Sequence, residues 1–173
     1  MDKYILEGNK VVDTKTKKIF SSLEELVFEL NNQHRNIEKL KKSIYIDDLT
    51  KAYTRAHLET IKEKYKKKQC YVTFIDSNNL KQINDFRGHR AGDNYLKKIA
   101  CILQSFGIVV RYGGDEFIVL SEKEPKDLYS TREFSAGSVF KEFGMDLEQA
   151  ISLADEKMFE QKRSSKKLLD RGI

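Results

Sequence analysis

The chain has 173 residues, 39% hydrophobic and 34% charged, with 32 basic against 27 acidic side chains, one Pro and nine Gly. At about 150 residues per domain this is one globular domain with a modest appendage. The composition is too apolar for disorder, no run approaches the ~18 apolar residues of a membrane span, and no signal-peptide core follows Met1-Asp2-Lys3.

Tyr4-Ile5-Leu6, Lys10-Val11-Val12 and Lys18-Ile19-Phe20 are short β-type runs, which predict a small hairpin or three-strand meander. Ser22-Leu23-Glu24-Glu25 is a capping box: the Ser22 hydroxyl is expected to accept from the Glu25 amide while Glu25 reaches back. The helix it opens carries Leu23, Leu26, Leu30, Gln33, Ile37, Leu40 and Ile44 at alternating three- and four-residue spacing. Such a stripe suits a short coiled coil with one polar seam position, and equally an amphipathic helix packed on its own hairpin or on the main domain.

From Asp47 onward the pattern alternates. Arg55 to Gln69 is predicted helical, with Leu58, Ile61 and Tyr65 on one face; Cys70 to Asp76 is an apolar strand ending in a carboxylate; Gly92 to Gln104 is helical, with Tyr95, Leu96, Ile99 and Leu103 inward. Ile108 to Tyr112 and Glu116 to Leu120 are strands around Gly113-Gly114-Asp115, where paired glycines are expected to take positive φ. Arg132 to Phe140 is a weaker strand, and Asp146 is placed to N-cap a last helix with Leu147, Ala150, Ile151, Ala154 and Met158 on one face. This order predicts an α+β, ferredoxin-like (palm-type) antiparallel sheet with helices on one side, preceded by the small hairpin and amphipathic helix. The expected organisation is 1–46 for the appendage and 47–173 for the main domain.

Cys70 and Cys101 give neither a disulfide framework nor a metal spacing. Much of the +5 charge sits in Lys64 to Lys68 and Lys162 to Lys167, which read as solvated helix faces, so neither nucleic acid nor membrane is an expected partner. The expected location is cytoplasmic. Two acidic positions stand out. Asp76 ends an apolar strand and Asp115-Glu116 lie at a glycine hairpin. If the strands are neighbours, Asp76 and Asp115 can bracket a hard cation such as Mg²⁺, which favours one or two carboxylates plus water and phosphate oxygens, and a phosphoryl-transfer centre follows. Read without further context, the acids are equally a turn former and a strand-end cap.

RYGGDEF (Arg111 to Phe117) resembles the signature of the GGDEF domain, the diguanylate cyclase family. Asp47-Asp48-Leu49-Thr50 with Arg55 is similar to the family's D-x-L-T…N-R opening, Phe74 to Asp93 to its F-x-D-x-D-x-F-K-x-x-N-D-x-x-G-H-x-x-G-D block, and Ala154-Asp155…Met158-Phe159…Lys162 to its closing A-D-x-A-L-Y-x-A-K. Four blocks in order cover most of the chain. The resemblance implies condensation of two GTP into cyclic di-GMP with release of pyrophosphate. It implies Mg²⁺ or Mn²⁺ held by Asp76, the Ser77 carbonyl and Asp115, with Glu116 beside metal and phosphates and Asp115 or Glu116 as proton acceptor. Asn84 and Asp93 match residues that bind the guanine edge, His89 lines the nucleotide pocket, and Gly113 and Gly114 admit the nucleotide to the backbone. Lys81 matches a lysine that stabilises transition-state charge, and Lys162 and Lys166 match phosphate contacts. A homodimer is implied, since each half-site carries one nucleotide, and a sensory partner in trans is compatible with it. Alternatives are a related palm-type cyclase with another purine product and a non-catalytic GTP-binding or dimerisation module.

Departures accompany the match. Asn78 and Asn79 stand where the block has a variable residue and then its second Asp, and Leu80 replaces the usual aromatic, which predicts weaker or altered base affinity. Lys51 and Thr54 replace common Gly and Asn, and Gln104 and Gly107 occupy the R-x-x-D product-inhibition positions, which predicts no feedback there. Ile118 to Ala154 is about one helix short, so one sheet face is expected to lose cover.

Overall fold

Three short strands begin the chain: β1 (Tyr4–Glu7), β2 (Lys10–Asp13) and β3 (Ile19–Phe20) pair antiparallel in that order, the expected meander. The computed structural model describes residues 3–7 and 10–170, and for Glu7, Ser130 and residues 165–170 the backbone alone. Two compact units are present, Met1–Ser43 and Ile44–Ile173.

In the first unit, Val12 and Phe20 are buried and Tyr4 meets Phe20 edge to face at 6.1 Å. The turn after β2 is built by the Asp13 carboxylate, which accepts from the amides of Lys15 (2.8 Å) and Thr16 (2.9 Å). Helix α1 (Leu23–Tyr45) is a single 23-residue helix that begins in this unit. Its start differs slightly from the predicted box. The Glu25 amide donates to Ser22 Oγ at 3.2 Å, but the Glu25 carboxylate takes the amide and hydroxyl of Ser21, one residue further back. The helix buries none of its residues. Gln33 accepts from Lys3 Nζ (3.0 Å) and Glu29 pairs with Lys18 (2.7 Å), so polar contacts tie the helix to the meander while Ile37 and Leu40 stay 49% and 61% exposed.

The second unit is built on a five-stranded sheet in the order β4-β6-β7-β5-β8. Its elements are β4 (Tyr53–Thr54), α2 (Arg55–Lys66), β5 (Cys70–Ser77), α3 (Leu80–Arg87), α4 (His89–Gln104), β6 (Ile108–Arg111), β7 (Glu116–Ser121), a 3₁₀ turn (Lys126–Ser130), β8 (Phe134–Lys141) and α5 (Leu147–Asp170). The fold is the α+β, palm-like class the sequence predicts, with two corrections. The short β4 runs parallel to β6, so the sheet is mixed. Helices also cover both faces, because β5 and β7 are apolar on both sides. Val72, Phe74, Ile118 and Leu120 pack with Leu58 and Tyr65 of α2 and with Leu147, Ala150, Ile151, Ala154 and Met158 of α5. Ile75, Phe117 and Val119 pack with Leu96, Ile99, Ala100 and Leu103 of α4. Such two-sided strands read as continuous hydrophobic runs and need cover on each face.

Helix α3 was not anticipated, α2 stops three residues short of Gln69, and β8 starts at Phe134 rather than Arg132. Asp146 caps α5 as expected, its Oδ1 accepting from the Glu148 amide at 2.8 Å. Where the sequence is short, the five-residue 3₁₀ turn joins β7 to β8 across β5, anchored by Leu128 (2% exposed) in the α4-side layer. Cover is thinner on the outermost strand, where Phe140 is 40% exposed against the Tyr71 ring at 5.0 Å. Among the described residues no helix is long and apolar enough to cross a membrane.

Candidate active site

Strand register places the acids. β5 and β7 run antiparallel with Asp76 directly opposite Glu116, and β8 sets Ser135 opposite Asp76 on the other side. Asp76 follows Phe74 and Glu116 precedes Ile118 in the strand alternation, so both carboxylates lie on the α5 face. The hairpin between β6 and β7 is closed by the Tyr112 amide on the Glu116 carbonyl (2.8 Å), and its tip is pinned to the end of β5 by the Ser77 amide on the Asp115 carbonyl (3.0 Å). Asp76, Asp115 and Glu116 are thereby gathered where β5 ends and β7 begins.

The diglycine works differently from the expectation. Neither Gly113 nor Gly114 takes a positive φ; among the described glycines only Gly88 and Gly144 do. A Cβ on Gly113 would lie 2.2 Å from Glu116 Oε2, so the glycine is needed for the close approach of that carboxylate. A Cβ on Gly114 would meet nothing within 4 Å, leaving the backbone there open. Arg111 fixes the turn. Its guanidinium donates to the Gly114 carbonyl (2.6 Å) through one terminal nitrogen and to both carboxylate oxygens of Asp47 (3.1 Å each) through the other, charge-assisted bonds on the Asp47 side. Burial opposes ionisation of Asp47, but the Thr50 hydroxyl and amide and the Arg111 guanidinium outweigh it and hold the carboxyl below its usual range.

Helix α5 supplies the cation. Lys162 Nζ donates to Asp76 Oδ1 at 2.5 Å. Glu116 is pushed above the usual carboxylate range, first by burial and then by the charges of Asp115, Asp76 and Asp155, with Lys162 opposing. Three carboxylates thus act on Glu116, with one lysine opposing them. Asp155 had no assigned role in the sequence reading, although its place seven residues before Lys162 puts both on one helix face. The hard oxygen donors and the uncompensated charge at Glu116 fit a divalent cation. Mg²⁺ would take one or two of these carboxylates and fill its shell with water and phosphate oxygens; among the described residues no group of three His, Cys, Asp or Glu side chains is placed to hold a metal ion.

Asn84, His89, Asp93 and Lys81 stand apart from the acids, on α3 and α4. Lys81, His89 and Asp93 are exposed, and Asn84 is half-buried with Oδ1 against Gly92. Ser77 is buried and its Oγ has no hydrogen-bond partner; strand alternation puts that side chain on the face away from Asp76. The Lys166 side chain lies outside the described residues. The Asn78 amide is committed to the scaffold, donating to the Arg132 carbonyl (3.2 Å) and accepting from Ser135 Oγ (3.1 Å). Asn79 precedes α3 at φ 60°, a left-handed conformation that asparagine tolerates, and makes no side-chain cap bond.

Residues 44–136 match the family model described as "Diguanylate cyclase, GGDEF domain". The chain is 29% identical over 151 residues to the probable diguanylate cyclase DgcI of Escherichia coli (strain K12), covering 76% of this chain and 34% of that one. It is 30% identical over 162 residues to the diguanylate cyclase DosC of the same organism, covering 73% and 35%. It therefore spans about a third of the length of these relatives. Among solved structures, the coiled coil and GGDEF domain of DgcB from Caulobacter crescentus, in complex with c-di-GMP, superposes with a TM-score of 0.68 at 17% identity, over 82% of this chain and 93% of that one.

Proposed function

Since the chain belongs to the GGDEF family, we propose that it is a diguanylate cyclase that condenses two GTP into cyclic di-GMP and releases pyrophosphate. The observation that carries this reading is the acid cluster: Asp76 and Glu116 in register on neighbouring strands, with Asp115 tied to the end of β5 by the Ser77 amide.

In this reading Asp76, Asp115 and the Ser77 carbonyl hold Mg²⁺ or Mn²⁺, which when bound neutralises triphosphate charge and acidifies the 3′-hydroxyl of the sugar. Glu116, whose proton affinity is raised first by burial and then by its acidic neighbours, would accept the hydroxyl proton. Lys162 stands at the cluster and is available to oppose phosphate charge, with Lys166 one turn further along the helix; Lys81 opposes the charge that develops on the transferred phosphoryl group. Gly113 and Gly114 leave the turn backbone open to the nucleotide. Asp93 accepts from the paired N–H donors of guanine, Asn84 completes that edge, and His89 lines the pocket. Adenine lacks such a donor pair, so it could not satisfy the same hydrogen bonds. Each chain holds one nucleotide, so the reaction needs two chains face to face. The bare stripe of α1 supports a homodimer, and a sensory partner in trans would act on this first unit.

The test is to incubate the purified chain with GTP, and in parallel with ATP, in Mg²⁺ or Mn²⁺, and to measure pyrophosphate and identify the nucleotide product. Cyclic di-GMP from GTP is expected, with Asp115→Asn reducing the rate about 100-fold or more, as for removal of a charge-stabilising group. A folded chain that binds GTP without turnover would make it a non-catalytic module. Turnover of ATP alone would make it a different purine cyclase.

A further inference from the structure

Helices α3 and α4 meet in a tight elbow at Gly88, whose amide donates to the Asn84 carbonyl at 2.8 Å and whose φ of 78° turns the chain between them. One turn into α4, Gly92 is buried. A Cβ built there would fall 2.0 Å from Asn84 Oδ1, 2.9 Å from Asn84 Cγ and 3.2 Å from Leu80 Cδ1. The amide head of Asn84 therefore lies directly on the backbone of Gly92, in the volume that any other residue would fill. The φ of Gly92 is not positive, so the glycine is not there for conformational freedom; it is a weaker helix former than alanine and gains only the space. Both obstructing groups are the ends of flexible side chains. An added methyl would thus be accommodated by swinging the Asn84 amide away rather than by breaking the fold.

We propose that Gly92 is a positioning residue for purine specificity: it is the seat that fixes the Asn84 amide in one orientation. An amide has a donor end and an acceptor end, and a base edge distinguishes them only if the amide cannot swing or flip. The proposal rests on the reading of Asn84 as a guanine contact given above.

The experiment is a double-substitution cycle on the full chain, Gly92→Ala and Asn84→Ala singly and together. Calorimetry would measure the affinity for the non-hydrolysable α,β-methylene analogues of GTP and ATP, and the ¹⁵N–¹H resonances of the Asn84 side chain would be followed alongside. Expected results are that each single variant weakens the GTP analogue about 10-fold, the loss of one hydrogen bond at 1.4 kcal/mol per decade. The ATP analogue should change less than about 2-fold, and Gly92→Ala should add nothing once Asn84 is alanine. The Asn84 resonances should shift in Gly92→Ala while the melting temperature holds. Full additivity of the two substitutions, or an unshifted Asn84 amide with unchanged affinity in Gly92→Ala, would overturn the positioning role. If Asn84→Ala itself leaves the GTP analogue unaffected, it is the guanine assignment of Asn84 that fails, and the specificity role of Gly92 falls with it.

Discussion

Glu116 sits among Asp115, Asp76 and Asp155, and its raised pKa makes it a destabilising group at neutral pH. The folded state binds this proton more tightly than the unfolded chain does. Its contribution is therefore most favourable below the unfolded value and is lost as pH rises through the folded one. Glu116→Gln should raise the melting temperature at pH 7 by a few degrees, with the gain shrinking towards pH 4, while cyclase turnover is lost; thermal scans across pH together with the product assay check both. An equally stable or less stable variant would mean that the acids do not repel one another. Asp47 has the opposite sign, since hydrogen bonds and Arg111 hold its carboxyl low, and its stabilisation disappears as the pH falls through that low value. Burial and repulsion thus act on Glu116 at the acid cluster, while the Asp47–Arg111 ion pair holds the neighbouring turn in shape.

Among the elements, α5 does two jobs on one strand. Its backbone rests on β8 at Gly137, where a Cβ would come 2.1 Å from the Met158 amide nitrogen and 2.2 Å from the Ala154 carbonyl oxygen. Those atoms are backbone and cannot swing aside, in contrast to the side-chain ends around Gly92. Gly137→Ala should therefore destabilise the fold by about 3 kcal/mol, at the upper end of overpacking costs, read from chemical denaturation; a change below about 1 kcal/mol would show that helix and strand slide apart freely. The second job is at the outer edge of the same strand. Gln161 Oε1 accepts from the Ala136 amide (2.8 Å) and Lys157 Nζ donates to the Ser138 carbonyl (3.1 Å), so two of the edge groups that would recruit a foreign strand are already bonded. The same helix also carries Lys162 to Asp76, which makes its seating on β8 a condition for the site.

For the whole molecule, the exposed Ile37 and Leu40 are where the proposed homodimer would form its contacts. Ile37→Asp with Leu40→Asp should leave the melting of the sheet unit unchanged and shift the mass in solution to the monomer. Specific activity should fall about 10-fold at low protein concentration and recover at high concentration, because the helix supplies effective concentration rather than chemistry; unchanged activity across dilution would refute that role. The sequence made much of this legible where local chemistry dictates geometry: the capped last helix, the apolar strand that ends in Asp76, the hairpin acids. It hid what depends on long-range packing. Helix α3 has no buried residue to give it a periodic signal, β4 is two residues long, and helices on both faces follow from a sheet order that no local pattern states. The purposes of Gly113, Gly92 and Gly137 are equally invisible in one dimension, since each is set by an atom from another part of the fold, or in the case of Gly113 from three residues on. Leu128, finally, is the peg of the crossover from β7 to β8, while β8 itself is gripped by β5 and α5. The polypeptide consequently has a natural seam between Glu122 and Thr131: severed there, the two fragments would still own complementary surfaces, and the molecule lends itself to being split and reassembled.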